Sequence, residues 1–209
     1  MKKLLRDNGL TIVLMVCFLI SLIGMIVAGL GSYNSELAEH SAQGVGLAAY
    51  LRSGQFVSAL FENWESEFLQ MAAYVVFTAM LFQRGSAESR DPDDPERPDD
   101  KLPPWPSRTA RWFYGRSLGL ALAGLFVLSF LAHWHGSLAA ANEDARLHGT
   151  PAHSALAYLG EAEFWFESFQ NWQSEFLSTA VLVVLSIWLR HRGSPESKPV
   201  ASSDSETGA

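Results

Sequence analysis

The 209-residue chain has one cysteine, Cys17, so no internal disulfide can form. Cys17 lies inside an apolar run and reads as a small apolar residue. No GxSxG, HExxH, Walker or CxxC pattern occurs. The expectation is therefore a protein that is not an enzyme, with no catalytic residue, no cofactor and no metal site. No basic patch is interleaved with aromatics, which argues against a nucleic-acid partner. Charge is missing where apolar residues gather. Leu10–Leu30 runs for 21 residues without a charged side chain, and at about 1.5 Å per residue that covers a hydrocarbon core of ~30 Å. Bases are scarce in two stretches, 31–60 and 139–166, which hold only Arg52 and Arg146.

What is present is a duplication. FENWESEFL at 61–69 returns as FQNWQSEFL at 169–177, an offset of 108 residues. At that offset, 61–90 and 169–198 share 16 of 30 positions. Asn34/Asn142, His40/His148, Tyr50/Tyr158 and Phe56/Phe164 match upstream without a gap. A repeat of this kind governs the reading of the whole fold.

Each copy carries two apolar blocks. Leu10–Leu30 aligns with 118–138, and a segment that recurs internally is not a cleaved signal peptide. The second block of each copy is short at its centre: 68–82 is about 22 Å as a helix. Starting it at Asn63 and ending it near Arg84 gives a membrane length, with a polar and aromatic outer end suited to the headgroup level. Before it, 31–60 reads either as an interfacial segment or as a long helix running straight in from about Ser53. The fold class expected is all-α integral membrane, with four transmembrane helices as two tandem parallel two-helix repeats. The repeats occupy 1–84 and 108–192. Residues 85–107 form an acidic, proline-rich linker, expected to be disordered, and 193–209 a disordered tail. Of the 15 Lys and Arg, 13 flank the termini and the linker. The positive-inside rule puts both termini and the linker in the cytoplasm. Ser21, Gly24 and Ala28 make a small-residue stripe on which a second helix has room to approach.

The doubled NWxSEFL, the loop word YNSELAEH and the RGSxES after the second and fourth blocks carry a resemblance. They are similar to an uncharacterised family of bacterial four-helix membrane proteins, a domain of unknown function. The resemblance covers nearly the whole chain. It implies a multi-pass protein of the bacterial cytoplasmic membrane and no activity. The second copy departs where Tyr33 is matched by Ala141.

The candidate polar site comes from spacing. On a helix from Asn63, the residues Asn63, Ser66, Glu67 and Gln70 share a face, and Asn171, Ser174, Glu175 and Ser178 repeat it; the first three of each set, Asn63, Ser66, Glu67, Asn171, Ser174 and Glu175, form the candidate site. Two such faces meeting about a pseudo-twofold axis would bring two carboxylates together, as a cation or proton site requires. The competing reading makes Asn63 and Asn171 N-caps and the acids first-turn partners of the helix dipole. His133 and His135, two apart, point to different sides of a helix and do not make a metal pair. The expected function is a structural or interaction role in the membrane, with the lipid bilayer and a homo-oligomer or unidentified membrane protein as partners. The alternative is a small cation or proton conductor using the repeated Asn/Ser/Glu faces.

Overall fold

A computed structural model describes residues 2–96, 100–102 and 107–208. Seven helices and no strands occur among them: α1 (Lys2–Glu39), α2 (Leu47–Tyr50), α3 (Gly54–Met80), α4 (Arg108–Tyr114), α5 (Ser117–His148), α6 (Ala155–Tyr158) and α7 (Ala162–Leu185). Within them, α1 and α5 are long and apolar enough to cross a membrane. The four spans expected are thus two by this measure. The reason is local: Glu62, Glu65 and Glu67 lie inside α3, and Glu163, Glu167 and Glu175 inside α7.

The helices run further than the apolar blocks. α1 continues to Glu39, because YNSELAE contains no breaker and keeps Tyr33 and Leu37 on a buried face. Its one irregularity is Asn8, whose side chain bonds back to the Leu4 carbonyl at 3.2 Å. α3 begins at Gly54, with the Ser53 hydroxyl accepting from Phe56 N at 3.2 Å. Of the two readings of 31–60, the long helix entering from about Ser53 is the one observed. Asn63 and Asn171 then each lie nine residues past their helix starts, Gly54 and Ala162. The N-cap reading is corrected accordingly: first-turn N–H groups are out of their reach.

Two units emerge. The first comprises Met1–Leu60 and Ala132–Tyr158. Its core is Tyr33, Leu37, Tyr50 and Phe56. Tyr50 packs against Tyr33 at 5.7 Å and Phe56 at 5.3 Å between ring centroids. The duplication is visible atom by atom. Asn34 Oδ1 accepts from Val45 N at 2.7 Å and its Nδ2 donates to Val45 O at 3.1 Å. Asn142 does the same to His153, at 2.6 and 3.2 Å. Each asparagine thereby closes the loop that follows its long helix. His40 and His148, equivalent residues, meet edge to face at 4.8 Å.

Close helix approach occurs at glycines other than those of the expected stripe. A Cβ on Gly136 would lie 2.5 Å from Ser58 N, and one on Gly54 would lie 2.7 Å from Gly136 O. Gly24 has nothing within 4 Å. The intimate crossing in this unit is α3 on α5, not a contact through Gly24.

The second unit comprises Phe61–Leu131 and Leu159–Ala209. FWFESFQNW supplies an aromatic cluster: Trp165 stacks on Phe169 at 5.6 Å, Phe169 meets Trp172 at 5.4 Å, and Phe130 meets the fully buried Phe164 at 5.7 Å. After α3 and α7 the chain makes one turn twice. Gly85 and Gly193 take φ of 85° and 84°, which glycine adopts without penalty. Ser89 Oγ accepts from Gln83 N at 2.8 Å, and Ser197 Oγ from His191 N at 2.9 Å. The serines of RGSxES satisfy backbone groups locally, an ordering force that composition does not reveal. The parts of the linker at 97–99 and 103–106 lie outside the described residues.

Candidate functional site

The polar words of α3 and α7 meet in the second unit, through Asn171 and Gln70 of the face that the spacing selects and through Glu62, Glu65, Trp172 and Thr179, which it does not. Trp172 Nε1 donates to Glu65 Oε1 at 2.9 Å. Asn171 Nδ2 donates to Glu62 Oε1. Gln70 Nε2 donates to Thr179 Oγ1 at 2.5 Å. Glu65 is fully buried. Three side-chain bonds thus tie one copy to the other along about two helical turns.

The six candidate residues divide. Asn171 joins this clasp. Ser66 is buried and bonds back to Asn63 O at 2.8 Å, and Ser174 bonds back to Asn171 O at 2.8 Å. These hydroxyls satisfy themselves on their own helix turns. Asn63 and Glu67 are exposed, and Glu175 is half-buried.

The residues that spacing missed left a different signal. Glu62 and Glu65 are matched at the repeat offset by Gln170 and Gln173. The clasp uses the acids where the copies differ, while Glu67 and Glu175, where the copies agree, are left out of it.

At the far ends of α3 and α7 lies a cavity of about 330 Å³. Its wall is mainly apolar, with Phe77, Leu81, Phe176 and Val183, and its rim carries Tyr74 and Glu88. Tyr74 OH donates to Glu88 Oε2 at 2.7 Å. Burial pushes the Glu88 carboxyl above the usual carboxylate range, and a hydrogen bond with Glu196 pushes it further. Glu88 and Glu196 are equivalent positions of the two RGSxES words. Ser86 Oγ and Ser186 Oγ lie 2.8 Å apart beside them.

The chain end closes over these turns. Gly85 N donates to Thr207 Oγ1 at 2.9 Å and Gly208 N to Ser86 O at 2.9 Å. Lys198 is buried, with Nζ donating to the carbonyls of Ser203, Asp204 and Glu206 at 3.2, 3.1 and 2.8 Å. Burial, and then the nearby Arg190 charge, hold this amine below the usual lysine range. Among the described residues no group of three or more His, Cys, Asp or Glu is placed to hold a metal ion.

The family model for the domain of unknown function DUF6766 matches residues 1–209. The chain belongs to that family. No curated protein and no solved structure matches the chain. Membership in DUF6766 brings no reaction with it, so the chemistry rests on the contacts above.

Proposed function

We propose that this DUF6766 protein is a multi-pass membrane protein with a structural or interaction role, in which the polar faces of α3 and α7 serve as a clasp between two parallel two-helix repeats. The single observation that carries this reading is the bond from Trp172 to the fully buried Glu65. A carboxylate inside an apolar bundle is costly unless partnered, and here the other copy supplies a partner. The large apolar side chains exposed along α1 and α5, such as Leu10, Ile20, Val27 and Leu128, fit a lipid surround. On this reading α3 and α7 also cross the bilayer, their acids shielded by one another. Both termini face the cytoplasm, because 13 of 15 bases flank that side. A bacterial cytoplasmic membrane is the compartment proposed, with lipid and a second copy or another membrane protein as neighbours. The protein catalyses no reaction on this reading.

One observation favours a second reading. Glu67 and Glu175 recur at the same place in the two copies, as two carboxylates of a cation or proton pathway would. Proteoliposomes loaded with pH- and cation-sensitive dyes separate the two. The clasp reading expects no protein-dependent flux. Flux that falls in Glu67→Gln or Glu175→Gln would replace it with the conductor.

A further inference from the structure

We propose that His40 and His148 form a two-histidine site for a divalent transition-metal ion of the Cu²⁺ and Zn²⁺ class, held between the ends of α1 and α5. The two are equivalent positions of the repeat. Their rings meet edge to face in the first unit, with centroids 4.8 Å apart. Both side chains are exposed, so an ion and its waters have access.

The backbone under each histidine is built the same way. The residue after it takes a left-handed conformation in both copies, Ser41 at φ 57° and Gly149 at φ 68°. Ala42 N donates to Leu37 O at 2.8 Å and Ser41 N to Ala38 O at 3.0 Å. Thr150 N donates to Ala145 O at 2.8 Å and Gly149 N to Arg146 O at 3.4 Å. This is the paired closure that ends a helix on a left-handed residue, and Leu37 and Ala145 are both buried. Asn34 and Asn142 then pin the loops that follow. Two imidazoles are thus presented side by side from fixed backbone, which lowers the ordering cost of binding. The carbonyl end of each helix carries partial negative charge, which favours a cation there.

The tautomer of His148 suits a ligand. Its Nδ1 lies 3.0 Å from the Asp144 carbonyl oxygen and 3.1 Å from Asp144 Oδ1. Both are acceptors, so Nδ1 carries the proton and Nε2 of the neutral ring keeps its lone pair for a metal. Glu36 stands at the equivalent position, one turn before His40, and accepts from Gln55 Nε2 at 3.2 Å. Metal–nitrogen bonds of about 2.0–2.1 Å put two nitrogens on one ion about 4 Å apart or less. Rings already in contact reach that spacing by side-chain rotation, with the helices in place. Two imidazoles select Cu²⁺ or Zn²⁺ over Mg²⁺ and Ca²⁺, which prefer oxygen ligands, and water completes the shell. Such an ion joins the long helix of one copy to the long helix of the other.

Calorimetry with Zn²⁺ or Cu²⁺ tests the site on the full-length, untagged protein in lipid nanodiscs, in a Cys17→Ser background. One ion per chain should bind, and Mg²⁺ or Ca²⁺ should not compete. His40→Ala and His148→Ala, at exposed positions that folding tolerates, should each weaken binding by about tenfold or more, at least the loss that follows removal of a group orienting a ligand. Asp144→Asn should weaken it by about tenfold, since the carbonyl still holds Nδ1. His191→Ala, at an exposed position of the second unit, should leave binding unchanged. The electron paramagnetic resonance spectrum of bound Cu²⁺ should show two imidazole nitrogens in the parent and one in either variant at His40 or His148. An absence of binding, a single nitrogen in the parent, or binding as tight in His40→Ala or His148→Ala as in the parent overturns the site.

Discussion

Trp172 and Glu65 are joined by an indole-to-carboxylate hydrogen bond of 2.9 Å across 107 residues of sequence. The bond connects the tryptophan of one NWxSEF word to the residue beside the tryptophan of the other. At the repeat offset the counterparts are Trp64 and Gln173, so an acid stands at this position in one copy only.

The strength of this clasp is measurable. Trp172→Phe keeps the ring and removes the N–H, so Glu65 loses one bond at a cost of about 1–3 kcal/mol. Combined with Glu65→Gln, the double change should depart from additivity by about 0.5–3 kcal/mol. Glu67→Gln and Glu175→Gln should each cost about 1 kcal/mol or less and add. Chemical unfolding in detergent reads all of these. Additive losses at Trp172 and Glu65 would remove the clasp from the argument.

Glycine tolerance should differ sharply between two sites. A methyl at Gly136 meets the backbone of α3, which has no rotamer with which to yield, and Gly136→Ala should lower stability by about 1–3 kcal/mol. Gly24→Ala enters open space and should be neutral or slightly stabilising. Thermal melts of the two variants decide it, and equal behaviour would contradict the α3–α5 crossing.

Topology is tested by labelling with a membrane-impermeant thiol reagent on intact cells, again from Cys17→Ser. Gln43→Cys and Ala152→Cys should react and Asp94→Cys should not. These sites are exposed, whereas Ser89 is buried and Ser41 takes a φ of 57°. Labelling at position 94 from outside would invert the proposed orientation.

The tail depends on one amine. Lys198→Met keeps most of the side-chain length and deprives the carbonyls of Ser203, Asp204 and Glu206 of their shared donor. Opening of the tail should rise by about tenfold or more, since each lost bond to a charged group is worth about 1.5–3 kcal/mol. Limited proteolysis followed by intact mass gives the cleavage rate of residues 199–208. An unchanged rate would mean that the cage contributes nothing to holding the tail.

Much of this molecule is determined along the chain itself. The offset of 108 residues, the helical character and the apolar lengths of α1 and α5 follow from residue order, because periodicity and hydrophobicity act over a few turns. Asn34 and Asn142 close their loops identically for the same reason: each reaches a backbone only 11 residues away. The helix starts were less legible. A polar word such as NWESE looks like a beginning, and only the capping hydroxyl of Ser53 and the packing of Phe56 put the start of α3 nine residues earlier than Asn63. Contacts between copies were not legible at all. Whether Glu65, Glu67 or Glu88 finds a partner depends on how two helices rotate and shift against each other, and a rotation of one residue, about 100°, exchanges a buried face for an exposed one. That rotation is decided by close packing at distant positions, so the tertiary structure buried Glu65, left Glu67 exposed, and brought Glu88 to Tyr74.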